Sequence, residues 1–394
     1  MITLQEKMID IDPTELLAQV PSREAELMRD YGSNSLAFFG LAPENRHFLA
    51  PDGAGLIQYR LVNKVAVVLG DPVCAPEAGE QVTQSFLDFC ARQHWRVAFY
   101  QASPGHLATY RALNLRAFKM GEEAILHPQT FSLHGSAMAN VRTSCRRAER
   151  DAVRISWYEG APPSEVMQQL EQVSSAWLEH KAGEHTAETG FSTGRLDGLI
   201  ESAKRADAIA DLSISASSSP RFVPRFVTGV AMTSAGTACA FVTFTPIYGG
   251  VTPQAIALSN QSGGQGWGWS LDLMRRVPDA PPGVMELLLV RATEGFRLCG
   301  AHVVSLGLVA LADTSQEMTP VEQQLVRLVT DRLHLLENRE TLFNFKQKFH
   351  PCWQSRYLVT NTTLALPKIA LAVLRLRNYS GGGVARLLHG SDKP

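Results

Sequence analysis

Charged groups set among apolar residues are the first place to look for chemistry, because an unpaired buried charge is costly. Asp272, Arg275 and Arg276 stand in an apolar context that predicts a strand. A mutual ion pair is the plain structural alternative. The functional reading has Asp272 holding a substrate ammonium and Arg275 a carbonyl or phosphate. A second stretch, Phe345–Tyr357, interleaves the cations Lys346, Lys348 and Arg356 with Phe345, Phe349, Trp353 and Tyr357. Cations alternating with aromatics suit phosphate-bearing or stacked ligands. A surface segment whose long side chains lie along apolar surface would look the same. A third group, Arg142, Arg146, Arg147, Arg150 and Arg154, faces only Glu149 and Asp151 in charge.

Other motifs carry less. Gln261–Gly266 reads QSGGQG, a literal Q-x-x-G-x-G. In acetyl-coenzyme-A acyltransferases such a loop cradles a pyrophosphate at a helix N-terminus. Here Pro278 cuts off any following helix, so a plain glycine-rich loop is the expectation. His180 and His185 are five residues apart and do not share a helical face. No Cys/His spacing supports zinc, and no metal is expected. There is neither a G-x-S-x-G nucleophile turn nor a P-loop.

These groups need elements to position them. Residues 56–126 read β-β-α-β-α-β, with two strands meeting at Asn63–Lys64 and a helix over Glu77–Gln93. Met138–Arg150 is helical and strongly basic, Glu165–His180 is an amphipathic helix, and Gly194–Ala208 predicts another. Strands follow at Arg225–Met232 and Thr237–Tyr248, with a Ser-rich loop before them at Ser213–Pro220. Residues 250–310 then repeat the earlier order of strand, loop, helix (Val284–Cys299) and strand (Val303–Val309), which suggests a duplicated α/β unit. Thr319–Leu336 predicts a helix with Thr319 as N-cap, and the tail from Leu364 reads as a basic amphipathic helix.

The chain has 394 residues, 45% hydrophobic and 19% charged, with a net charge of −1. This excludes collagen, coiled coil and wholesale disorder. No apolar run is long enough for a membrane-spanning helix. The N-terminus carries no secretory signal, and six scattered cysteines read as reduced thiols, so a cytoplasmic location is expected. From Arg339 to Pro394 the balance is +7, leaving −8 elsewhere. Charge separated in this way suggests phosphates of nucleic acid or lipid as partners, although a solvated basic face is the simpler alternative.

The segments YGSNSLAFFGL (Tyr31–Leu41), VVLGDPV (Val67–Val73), FKMGEEAILHPQTFSLHG (Phe118–Gly135), GFSTGRLD (Gly190–Asp197), DLMRRVPDAPPGVMELL (Asp272–Leu288) and FKQKFHPCWQSRY (Phe345–Tyr357) fall in order along the chain. Together they resemble the cytosolic catalytic domain of the phosphatidylglycerol lysyltransferase family, also called multiple peptide resistance factor. That family includes the alanyl-phosphatidylglycerol synthases.

The resemblance implies an α/β fold of two tandem GNAT-like acyltransferase units joined by a basic helix. The expected boundaries are 1–136, a linker helix 137–152, 153–363, and a basic amphipathic tail 364–394. It implies transfer of an aminoacyl group, lysyl or alanyl, from aminoacyl-tRNA to a lipid hydroxyl, phosphatidylglycerol foremost, without coenzyme A or other cofactor. It also implies a peripheral place at the inner face of the membrane. Asp272 and Arg275 match the family's functional motif. In that reading Asp272 binds the α-ammonium and Arg275 orients the ester or lipid phosphate. Lys346 or Lys348 stabilises developing negative charge, and Arg356 contacts phosphate. Arg276 and Tyr357 join the substrate-binding set, and Arg142, Arg146, Arg147 and Arg150 would meet tRNA. A lysine-specific pocket needs a second acid, for which Glu184, Glu188, Glu286 and Asp313 are available. The chain departs from the family pattern at Leu196, where Phe is usual, and at Asp313, where a small residue is common. It also lacks the membrane flippase region that typically precedes the domain, so a free-standing member or an excised domain is expected. A coenzyme-A acyltransferase and a non-catalytic tRNA- or lipid-binding module are the alternative classes.

Overall fold

The computed structural model describes residues 23–182, 191–216, 222–249, 266–310 and 339–377. The helices are α1 (Arg23–Tyr31), α2 (Gly79–Arg92), α3 (Leu107–Ala112), α4 (Ala139–Arg150), α5 (Ser164–Ala182), α6 (Leu199–Ala216), α7 (Val284–Leu298), α8 (Arg339–Gln347) and α9 (Leu366–Arg377). The strands are β1 (Arg46–Leu49), β2 (Gly55–Val62), β3 (Val65–Leu69), β4 (Val73–Cys74), β5 (Arg96–Ala102), β6 (Arg116–Leu126), β7 (Arg154–Glu159), β8 (Val227–Met232), β9 (Ala238–Ile247), β10 (Gly268–Arg276), β11 (Val303–Ala310) and β12 (Cys352–Thr360).

Local chemistry accounts for many of these. Asn63 and Lys64 both take positive φ, 51° and 60°, as a two-residue hairpin turn between right-twisted strands requires. β3 is buried along its whole length, which matches its unbroken apolar run VAVVL. The α4 helix turns Val141, Cys145 and Ala148 inward and leaves Arg146, Arg147 and Arg150 exposed.

The described strands form one mixed sheet in the order β1-β2-β3-β5-β12-β6-β11-β10-β9-β8-β7, with β4 paired to β2. β12 and β6 lie antiparallel at its centre. Outward from that pair the two arms repeat. One runs β12, β5, β3, β2, and the other runs β6, β11, β10, β9. In each arm the first junction is antiparallel, the second parallel and the third antiparallel. A helix bridges each parallel pair, α2 in one arm and α7 in the other. Each arm's second strand even carries a bulge at a positive-φ residue, Gln101 in β5 and Gly307 in β11. The duplicated α/β unit read from the sequence is visible in this order. The innermost strands are exchanged: β12, from the C-terminal half, pairs with β5, while β6, from the N-terminal half, pairs with β11.

One face of the sheet packs α2 and α3 over the first arm and α4 and α7 over the second. The other face carries α1, α5, α6, the 3₁₀ turn Ala37–Leu41 and α9. The apolar side of α9 buries Ile369, Ala372, Val373 and Leu376 against β3 and Leu36. No helix among the described residues is long and apolar enough to cross a membrane.

Some expectations shift. α6 starts at Leu199 rather than near Gly194, because residues 191–198 are held as a loop by contacts set out below. It then runs to Ala216, into the expected Ser-rich loop. Phe345–Tyr357 is not one ligand-like segment but the end of α8, a turn and most of β12. β1 and β7 have no counterpart in the sequence reading. The helix expected at Thr319–Leu336, QSGGQG over residues 261–265, His185, Glu184, Glu188, Asp313 and the tail beyond residue 377 lie outside the described residues.

Candidate active site

Asp272 sits where β10 holds an extra residue relative to β9, between the Leu271 and Met274 register positions. Such a bulge re-aims side chains next to it. The Asp272 Oδ1 accepts the Gly194 N–H at 2.6 Å, and Oδ2 accepts the Thr243 hydroxyl at 3.3 Å. The Thr243 oxygen in turn accepts the Leu273 N–H at 2.9 Å. Gly194 has no freedom to carry a side chain, since a Cβ there would lie 2.2 Å from Asp272 Oδ2. The far end of the same loop is fixed by Phe191, whose ring packs 5.8 Å from that of Tyr100 and 5.7 Å from the Arg60 guanidinium. The loop from Phe191 to Gly194 therefore ties the first arm to the second across one face.

Arg275 turns to that face too. It is 5% exposed, donates to the Ser174 hydroxyl on α5, and lies 5.3 Å from the Trp177 ring. Asp272 and Arg275 are thus brought to the same side of β10, each engaged by a different covering element. Arg276 points the other way, is exposed, and reaches the Pro278 carbonyl at 3.5 Å.

A second polar group lies at the exchanged strands. Glu123 on β6 is 1% exposed and pairs with Arg356 on β12, whose Nε donates to Oε2 at 2.5 Å. The Ser305 hydroxyl on β11 donates to the other carboxylate oxygen. Burial alone would raise the Glu123 carboxyl. The Arg356 charge, with hydrogen bonds from Ser305 and Ser35, outweighs burial and holds it below the usual carboxylate range. Ser305 opens the β11 bulge and accepts the Gly307 N–H at 3.0 Å. The carbonyls of that bulge, Gly307 and Leu308, accept from Lys346 Nζ at 2.9 and 3.2 Å. Lys346 is 4% exposed, and burial pushes its amine down to about 7 against the opposing pull of Glu123.

A strip of buried hydroxyls joins the two groups on this face. Thr245 is the register partner of Ser270, and Ser270 that of Ser305. Thr243, Thr245, Ser270 and Ser305 are all buried. The strip leads from Asp272 to Glu123 and forms a polar floor on this part of the sheet. It offers acceptors and donors for an ammonium, an ester and hydroxyls, and a titratable amine at one end.

The remaining expected residues lie elsewhere. Lys348 Nζ meets Glu286 Oε1 at 3.0 Å and lies 5.4 Å from the Phe345 ring, so this pair ties the turn after α8 to α7 on the opposite face. Tyr357 is half-buried against the core beneath α2 and α3. Arg142 donates to the Leu133 and Gly135 carbonyls, the latter at 2.6 Å, fixing the loop before α4. Glu123, Ser305, Thr243 and Gly194 do not stand out in the sequence reading. A signal for Glu123 is nevertheless present: two adjacent acids, Glu122 and Glu123, interrupt a strand ending in Ala-Ile-Leu, so one must face inward.

Comparison with known proteins bears on the fold and the family. The family described as phosphatidylglycerol lysyltransferase, C-terminal, matches residues 25–209 and 221–360. A phosphatidylglycerol lysyltransferase of Bacillus subtilis (strain 168) is 26% identical over 359 residues, covering 90% of this chain and 37% of that protein. A lysylphosphatidylglycerol biosynthesis bifunctional protein LysX of Mycobacterium sp. (strain JLS) is 28% identical over 356 residues, covering 88% of this chain and 29% of that protein. The chain therefore spans about a third of the length of these curated relatives. The solved structure of L-PGS from Bacillus licheniformis superposes with a TM-score of 0.72 at 25% identity, covering 94% of this chain and 98% of that one. The C-terminal domain of a lysylphosphatidylglycerol synthetase from Agrobacterium fabrum shares the fold, with a TM-score of 0.70 at 24% identity and the same coverage. With the matched segments spanning the Asp272 and Glu123 groups, the chain belongs to the phosphatidylglycerol lysyltransferase C-terminal family.

Proposed function

We propose that this chain transfers an aminoacyl group, lysyl or alanyl, from tRNA to a lipid hydroxyl, with phosphatidylglycerol as acceptor. The observation that carries the reading is the family match over residues 25–209 and 221–360, which contains the whole buried polar strip. In the reaction the lipid hydroxyl oxygen attacks the aminoacyl ester carbonyl, and the bond to the tRNA ribose oxygen breaks. One ester replaces another, so the protein's task is positioning, proton transfer and oxyanion stabilisation. Asp272 receives the α-ammonium. Arg275 orients the ester or the lipid phosphate. Lys346, with an amine near pKa 7, takes the hydroxyl proton as a neutral base and returns it to the leaving ribose oxygen.

The contacts with both large substrates belong to the same proposal. Arg146, Arg147 and Arg150, exposed on α4, meet tRNA phosphates. On the outer side of α9, Lys368 and Arg375 flank the exposed Leu371, with Leu364 just before the helix 87% exposed. That stripe meets an anionic bilayer at its cytoplasmic face.

The test is incorporation of radiolabelled amino acids into solvent-extractable lipid. The mixture holds the protein, total tRNA, synthetases and phosphatidylglycerol vesicles, with a ribonuclease-treated control. The expected result is ribonuclease-sensitive labelled lipid, lost by at least about 100-fold in Asp272→Asn and Arg275→Ala. Full transfer by both variants, or no labelled lipid from the parent chain with any amino acid, overturns the reading.

A further inference from the structure

Glu123 has no part in the roles above, yet it is buried and accepts from Arg356, Ser305 and Ser35. We propose that Glu123 is a positioning residue for Lys346: it fixes the Ser305 hydroxyl that pins the β11 bulge, and the bulge presents the two carbonyls that hold the Lys346 amine. The proposal rests on the transfer reading only for what Lys346 does with its proton.

The chain of contacts is continuous. The Ser305 hydroxyl donates to Glu123 and is thereby oriented to accept the Gly307 N–H. That bond holds Gly307 at φ +83°. Side chains other than glycine strain at such a φ. In this conformation the Gly307 and Leu308 carbonyls converge on Lys346 Nζ. Without the pinned bulge, β11 would pair in regular register with β6 and its carbonyls would point into the ladder, not at the lysine. Arg356 neutralises Glu123, so the carboxylate stays ionised while buried. Among the described residues, the charged group that acts on Lys346 is Glu123 on β6, itself paired with Arg356 on β12. β11 contributes none, and Lys348, two residues further along, is engaged by Glu286 on α7. Glu123 therefore acts on the lysine twice, through its charge and through the bulge, and the two effects have opposite signs when removed.

Two near-isosteric variants separate them. Glu123→Gln keeps a carbonyl oxygen for Ser305 and removes the charge. Ser305→Ala keeps the charge and removes the pin. The chain has nine lysines, so an NMR titration with isotope-labelled lysine can follow Lys346, assigned by its loss in Lys346→Arg. No substrate is needed. The parent midpoint is expected near 7. In Glu123→Gln it moves lower, because a favourable negative charge is gone. In Ser305→Ala it moves higher, toward an ordinary lysine, because the loosened bulge admits water. In the transfer assay the acidic limb of the pH–rate curve follows the lysine midpoint in each variant, with kcat reduced and KM unchanged. If Glu123→Gln does not fold, as judged by near-ultraviolet circular dichroism, Ser305→Ala alone decides. A Lys346 midpoint unmoved in folded Ser305→Ala overturns the proposal, whatever Glu123→Gln does. So does a rate limb that shifts while the lysine does not. Absence of any transfer activity leaves the lysine titration as the deciding measurement, so the two readings fail separately.

Discussion

Lys346 is a buried amine, and its burial makes stability depend on pH. Its folded-state pKa, about 7, lies below the ordinary lysine value of 10.5. Between those values the unfolded chain holds a proton that the folded chain does not, so this group makes folding more favourable as pH rises through the window. The slope is at most about 1.4 kcal/mol per pH unit. Below pH 7 both states are protonated and the dependence vanishes. Urea unfolding of the parent and of Lys346→Met at pH 7 and pH 9 tests this. The parent gains stability relative to the variant on going to pH 9; parallel behaviour would show that the amine is not held as described. Gly194→Ala is a second test at this scale. Its methyl would collide with the Asp272 carboxylate, so transfer activity falls with that of Asp272→Asn while the melting temperature changes by only a few degrees. Asp272 and Arg275 are legible in the sequence because charge inside an apolar strand is conspicuous. Glu123 is not, because its meaning depends on partners 182 and 233 residues away.

At the scale of elements, strands and helices with clear periodicity are readable, and the exceptions have physical causes. β12 is hidden because Lys346 at the end of α8 and Lys348 in the turn after it run into its alternating Trp353, Ser355 and Tyr357, giving one stretch of mixed cations and aromatics. The end of the 191–198 loop reads as helix because nothing local signals that Gly194 must dock on Asp272. The α4–α7 contact, in contrast, includes one backbone position that tolerates no side chain. Gly283 starts α7 at φ +87°, and a Cβ there would lie 2.0 Å from the Ser144 carbonyl oxygen on α4. Gly283→Ala is expected to destabilise by more than about 2 kcal/mol. Gly295, in the same helix, has open space within 4 Å of where a methyl would stand, and gives the reverse. Gly295→Ala is expected to stabilise by about 0.5–1 kcal/mol. Thermal melts of the two variants moving in the same direction would contradict this packing. On the outer face of α9, Leu371→Glu leaves the fold intact, since Leu371 is 45% exposed, and weakens sedimentation with anionic vesicles. Unchanged sedimentation would remove α9 from the proposed membrane contact.

For the whole molecule the decisive feature is the pair of exchanged strands. The repeated order of elements is legible in the sequence, because strand, loop, helix and strand recur. The exchange is not, because hydrophobic pattern says which residues are buried, not which distant strand lies beside them. Its consequence for stability is that neither half closes alone. Residues 1–136 lack β12, which covers the inner edge of β5. Expressed alone they are expected to remain unfolded or aggregate, and to regain cooperative unfolding when made together with residues 137–394. Cooperative unfolding of the isolated N-terminal fragment would sink this expectation.

The exchange also orders events during synthesis. The Thr360 hydroxyl bonds to the Val97 carbonyl, 263 residues upstream. A nascent chain leaving the ribosome from its N-terminus must therefore carry β5 with an open edge until nearly the whole domain has emerged. Open edges recruit other strands. Among the described residues, the last strand to be translated is the one that seals the middle of the sheet. Premature termination anywhere before residue 352 leaves a product with no centre, and the cell would meet it as a substrate for chaperones and proteases, not as a shortened enzyme.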